Sequence, residues 1–120
     1  MPSYALNFYS PVVADQLRSY RKTATIRLGD KSRKYHKGMI VTVLSGARFG
    51  PRDRIFDAVI DKVEVKRLAE LSPREIEHDN PEIRRPEEMA RFLAQLYNRE
   101  VSEEDTVTVI RFSAIRDGIR

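Results

Sequence analysis

The sequence predicts an α+β domain: a small curved β-sheet or barrel of about five to six strands, with helices covering the openings. Three observations carry this reading. The runs of local pattern follow the order strand, helix, strand, strand, strand, helix, helix, strand, which supplies too few helices for a doubly wound parallel sheet. In the long β-branched run, the apolar positions Phe56, Ala58 and Ile60 give way to Val63 and Val65. That slip of face marks a bulge near Asp61-Lys62, and bulges bend sheets. The chain has 120 residues, so residues 1–120 are read as one domain with a modest core.

Each element has its own warrant. Tyr4-Ala5-Leu6-Asn7-Phe8 alternates and is short, as a strand should. Ser10-Pro11 then opens a helix, with Ser at the N-cap and Pro at the first helical position. Val13, Leu17 and Tyr20 share one face of it. Thr23 to Leu28 is β-branched and alternating, a second strand. Gly29 to Gly38 is a polar, basic loop, and Met39 to Leu44 a continuous apolar strand. Ser45 to Asp53 reads as an exposed turn, and Ile55 to Val65 as the bulged strand. Ser72-Pro73-Arg74-Glu75 is a capping box opening a short helix that Asn80-Pro81 stops. The next helix starts at Pro86, with Glu87 and Glu88 placed well against its dipole. Met89, Phe92, Leu93, Leu96 and Tyr97 form its apolar stripe, read as core packing. Asp105 to Ile115 is the closing strand.

Composition narrows the chemistry. The chain has no cysteine, which excludes disulfides, thiolate nucleophiles and cysteine zinc sites. Its two histidines, His36 and His78, are far apart in sequence, so no metal site and no cofactor are expected. No apolar run approaches the ~20 residues of a membrane span, and the N-terminus does not look like a signal peptide. A cytoplasmic protein, monomeric or weakly dimeric, is the expectation. The net charge of +4 leans toward anionic partners. Arg18, Arg21, Lys22, Arg27, Lys31, Arg33, Lys34 and Lys37 face a single acid, Asp30, over the same stretch.

Within that stretch Tyr20-Arg21-Lys22-Thr23-Ala24-Thr25-Ile26-Arg27 joins a helix to a strand and concentrates cations and hydroxyls. Such a set can hold a phosphate or polarise a carbonyl. On a regular strand Lys22 and Thr25 would point to opposite faces. They converge if Lys22 lies in the turn before the strand.

These residues resemble the signature of ASCH domains, small PUA-like barrels, and most closely the short bacterial ASCH proteins that hydrolyse N4-acetylcytidine. Lys22-Thr23-x-Thr25-x-Arg27 matches the core of that pattern, and Lys37-Gly38-Met39-Ile40-Val41 a later part. Leu71 to Asn80 resembles the family's helix with an acidic end. Tyr20 stands where the family has Gly, so the turn before Lys22 is expected to be built differently. Asp79 stands where the hydrolase has Glu, with Glu77 as the other candidate. The resemblance implies RNA or a modified nucleoside as partner, held in a basic cleft by Arg21, Thr23, Arg27, Lys31 and Lys34. The alternative it implies is an amidohydrolase acting on N4-acylated cytidine. In it Thr25 is the nucleophile, Lys22 the base, and Asp79 or Glu77 the acid.

Overall fold

The computed structural model describes residues 4–47 and 49–116. Five strands form one sheet: β1 (Tyr4–Phe8), β2 (Ala24–Leu28), β3 (Ile40–Gly46), β4 (Arg52–Arg67) and β5 (Thr106–Ile115). Their order across the sheet is β1-β3-β4-β5-β2. β1 pairs with β3 in parallel, and every other pairing is antiparallel. Three helices complete the architecture: α1 (Pro11–Arg18), α2 (Pro73–Asp79) and α3 (Pro86–Tyr97).

The sheet curls because two residues of β4 have no partner opposite. Its register with β3 slips at Ile55, and its register with β5 slips at Asp61. The second slip lies where the change of apolar face in the sequence places it. Curling brings the edge strands β1 and β2 toward each other without pairing them. A side chain spans the gap instead, with Arg27 Nη2 on β2 donating to Asn7 O on β1 at 3.0 Å. The result is a half-barrel whose open seam lies between β1 and β2.

Each face of the sheet has a core. Phe8, Val41, Val43, Phe56, Ile60, Ile110 and Phe112 cluster with Leu17 of α1. Ile26, Leu28, Val107 and Val109 pack with Ile76 of α2 and with Met89 and Leu93 of α3. β5 serves both through strict alternation, with Val109 in one cluster and Ile110 in the other. Full burial of a side chain such as Leu17, Ile76 or Leu93 is worth about 1.5–3 kcal/mol, so these clusters fix where the helices dock.

Several details differ from the sequence reading. Ser10 sits at the N-cap of α1 but makes no side-chain cap bond. Tyr20 lies beyond the end of α1, 44% exposed, and does not share the helix's buried face. β2 begins at Ala24, with Thr23 in the preceding segment. The hairpin ladder of β3 and β4 extends outward through Ser45–Asp53 and Gly46–Arg52 pairs. The expected turn is shorter for that reason, and its Arg48 lies outside the described residues. Polar strand ends that project past the core lack the apolar alternation that reveals strands. Leu68–Glu70 forms a single tight helical turn that no sequence pattern announced.

Candidate functional site

The site is built from the exit of α1. Tyr20 N donates to Leu17 O at 3.0 Å and Arg21 N to Gln16 O at 2.9 Å, the paired bonds of a helix ended by a left-handed residue. That residue is Tyr20, with φ at 60°. Glycine adopts this conformation freely, whereas a bulky side chain meets steric cost there. The Tyr20 ring is held by stacking on Phe56, centroids 5.8 Å apart, and the Arg116 guanidinium lies 3.9 Å over it. The backbone reverses here, and Lys22 enters the molecule from the turn ahead of β2. This is how Lys22 and Thr25 reach one cavity despite their odd spacing.

α2 supplies the acid. Asp79 closes that helix and is 4% exposed, as is Lys22. Lys22 Nζ donates to Asp79 Oδ1 at 2.7 Å and to Asp79 O at 2.6 Å. The same Oδ1 accepts from the Ile26 backbone N–H at 2.9 Å, tying α2 to β2. Asp79 Oδ2 makes no hydrogen bond among the described residues. Burial pushes the Lys22 amine below its ordinary pKa of 10.5; Asp79 opposes this, and the nearby Arg27 charge adds to it.

Arg27 organises the opposite wall. Its Nε donates to Thr25 Oγ1 at 3.0 Å while Nη2 reaches Asn7 O. Its guanidinium carbon lies 4.9 Å from the Phe8 ring centroid, and Lys22 Nζ lies 5.4 Å from that ring. Two cations thus share one aromatic ring. Between these walls is a cavity of about 500 Å3, opening through the seam between β1 and β2. Its sides are aromatic, with Tyr9 and Tyr35 on one and Phe92 and Tyr97 on another. Tyr35 is fixed by donating its hydroxyl to Ala5 O at 2.8 Å.

Six of the nine residues singled out in the sequence line this cavity: Lys22, Thr25, Arg27, Lys31, Lys34 and Asp79. Three lie elsewhere. Glu77 turns outward, its carboxylate 3.4 Å from Arg84 on the surface. Arg21 is exposed and donates to Ser19 Oγ at 3.1 Å. Thr23 lines a separate groove, and its backbone bonds to His78 and Phe112. The sequence reading did not place Asn7, Asn80 or Gln95 at the cavity. Phe92 and Tyr97 carried a signal, but their helical spacing pointed only to packing.

No family model matches the sequence, and no curated protein matches it. Solved structures do. Protein EF3133 from Enterococcus faecalis V583, of family model DUF984, superposes with a TM-score of 0.71 at 17% identity, covering 96% of this chain and 82% of its own. The ASCH domain from Lactobacillus crispatus JV V101 gives a TM-score of 0.66 at 14% identity, covering 94% and 80%. The fold is that of an ASCH domain. The hypothetical protein PH0355 shares it at a TM-score of 0.58 and 17% identity, covering 92% of this chain and all of that one. In this ASCH fold the Lys22–Asp79 pair sits at the open seam of the half-barrel. Among the described residues, no group of histidines and carboxylates is placed to hold a metal ion. No helix there is long and apolar enough to cross a membrane.

Proposed function

We propose that this ASCH-fold protein binds RNA or a modified nucleoside, and that the cavity at the seam receives the base. The observation that carries this reading is a buried ion pair whose acid keeps one oxygen unused, opening on an aromatic-walled space of about 500 Å3. That volume falls within the range of small-molecule pockets, roughly 300–1,000 Å3. Rings at Tyr9, Phe92 and Tyr97 offer flat surfaces to a planar base. A carboxylate oxygen is a natural acceptor for the exocyclic amine of cytosine. Lys31 and Lys34 at the rim and Arg27 inside suit a sugar or phosphate.

A second reading rests on the Arg27–Thr25 bond. Arg27 Nε donates to Thr25 Oγ1, so the hydroxyl proton is free for a base and a developing alkoxide is stabilised. Lys22, lowered in pKa by burial, is the base in this scheme. The Thr25 oxygen adds to the acyl carbonyl of an N4-acylated cytidine, its proton passing to the neutral form of Lys22, which burial makes more accessible. The C–N bond then breaks, the departing amine takes that proton back from Lys22, directly or relayed through Asp79, and water hydrolyses the acyl-threonine.

Titration calorimetry with cytidine and N4-acetylcytidine tests the first reading, and chromatographic detection of released cytidine tests the second. Saturable nucleoside binding is expected. If turnover occurs, Thr25→Val abolishes it and retains binding. Absence of both nucleoside binding and RNA binding at low salt would end the first reading. Turnover equal in wild type and Thr25→Val, or absent from both, would end the second.

A further inference from the structure

A second concave surface, of about 780 Å3, opens on the other side of the Lys22-Thr23 segment. α2 separates the two spaces. It presents Asp79 to the cavity at the seam, and Arg74 and His78 to this groove. β5 contributes Arg111, and Arg116 follows it. Among the described residues, the single carboxylate lining the groove is Asp61, at the bulge of β4, where it accepts from Ser113 Oγ at 2.6 Å. Some exposed cations elsewhere have acidic partners, such as Arg67 with Glu104 at 2.7 Å and Arg84 with Glu77 at 3.4 Å. Among the described residues, no ion pair involves Arg74, Arg111 or Arg116. Three arginines thus meet at one groove without an ion pair among the described residues. His78 registers their field, since its pKa is lowered by partial burial and then by Arg111 and Arg74.

The groove also carries a shelf. Phe56, Tyr20 and Arg116 form a stack, with the exposed guanidinium as its outer layer. Rings alternating with unneutralised arginines match the needs of a single strand, whose bases stack and whose phosphates take forked donors. An acidic peptide would use the cations and leave the shelf idle.

We propose that this groove holds the phosphates of a single-stranded polynucleotide, with one base resting on the Tyr20–Arg116 stack. The proposal deepens the function given above and rests on it in one respect. Lys22 walls both spaces, so a strand lying in the groove delivers a neighbouring base to the seam cavity. The ligand is then a strand, and the free nucleoside is only its fragment.

Fluorescence anisotropy with a labelled single-stranded RNA of about ten nucleotides tests this. The double variant Arg74→Gln/Arg111→Gln removes two exposed side chains that bond nothing among the described residues. Thermal melting followed by circular dichroism checks that it folds as wild type does. Its RNA affinity is expected to drop at least about tenfold at low salt, and the slope of log K against log salt to shrink by ~1.4, two phosphate contacts. Tyr20→Asn keeps a residue tolerant of the left-handed turn and removes the shelf; it is expected to weaken RNA binding with the salt slope unchanged. Unchanged affinity and slope in the double variant would overturn the proposal. So would absence of RNA binding in wild type, or polyglutamate of matching length binding in RNA's place. Cytidine titration of the same proteins separates the two claims. Groove-dependent RNA binding without cytidine binding sinks the seam cavity alone, and cytidine binding with groove-independent RNA binding sinks the groove alone.

Discussion

Asp79 has two structural duties besides any ligand. It neutralises Lys22 and it accepts the Ile26 N–H of β2. Removing one member of a buried ion pair leaves an uncompensated charge, at a cost of about 3–5 kcal/mol. Asp79→Ala is therefore expected to destabilise the fold by roughly that amount in urea denaturation. Lys22→Met leaves only an unpaired carboxylate that still accepts the Ile26 N–H, and its cost should be smaller. A loss below about 1 kcal/mol for Asp79→Ala, the level of an exposed pair, would show that the pair is not held dry as it is here. At this scale the sequence was partly legible. Lys22, Thr25 and Arg27 drew notice because cations and hydroxyls crowd one short segment. The choice between Asp79 and Glu77 was not legible, because both lie near the end of one short helix and only docking against β2 decides which turns inward. Asn7 and Asn80 gave no signal at all, being ordinary residues at a strand and a helix stop.

α2 is too short to be stable alone, since isolated helices under about 12–15 residues are marginal in water. Its N-terminus is fixed by a reciprocal pair of bonds, Ser72 Oγ accepting from Glu75 N at 3.1 Å and Glu75 Oε1 accepting from Ser72 N at 2.9 Å. Glu75 also reaches across to β4, where Lys66 Nζ donates to its Oε2 at 3.0 Å. The two halves of the capping box are thus unequal. Ser72→Ala loses one cap, typically about 1 kcal/mol. Glu75→Ala loses a reciprocal cap bond and a half-buried ion pair together, and about 2 kcal/mol is expected. Melting of the two variants side by side checks this ranking, and equal losses would mean that the Lys66 contact contributes nothing. The capping box, the Pro at each helix start and the bulge at Asp61 were all readable because each is a local rule of sequence. The left-handed Tyr20 was not, because that turn normally calls for Gly, and its compensation comes from Phe56 and Arg116, remote in the chain. The sheet order was not readable either. Which edges meet depends on how far β4 bends, and no single strand encodes that.

Across the whole molecule, charge is arranged so that pH acts in opposite senses at different groups. His78 has its pKa below the ordinary 6.5, from partial burial first and then from Arg111 and Arg74 against the opposing Glu77. A histidine whose folded pKa is depressed binds fewer protons than in the unfolded chain, so stability falls as pH drops from 6.5 through the folded value. Below that window Glu75 continues the loss. Its burial is outweighed by the bonds from Ser72 and Lys66, its pKa lies below 4.5, and the stability it contributes disappears as it takes up a proton. On the alkaline side Lys22, depressed by burial, makes stability rise with pH up to 10.5. Lys66, raised by Glu75 and Glu64 despite burial, then withdraws its contribution above 10.5. The optimum of stability is accordingly expected between neutrality and 10.5, on the basic side. The two limbs have different owners, which makes the expectation separable. His78→Gln should flatten the decline just below 6.5 and leave the alkaline rise intact, whereas Lys22→Met should remove that rise. A bound polyanion would oppose the field of Arg74 and Arg111 and raise the pKa of His78. Saturating single-stranded RNA should therefore shift the His78 titration, followed by NMR of its ring protons, upward, and in Arg74→Gln/Arg111→Gln that shift should shrink. A His78 titration indifferent to RNA would mean that the strand does not lie beside α2, and that the unpaired arginines there answer to solvent alone.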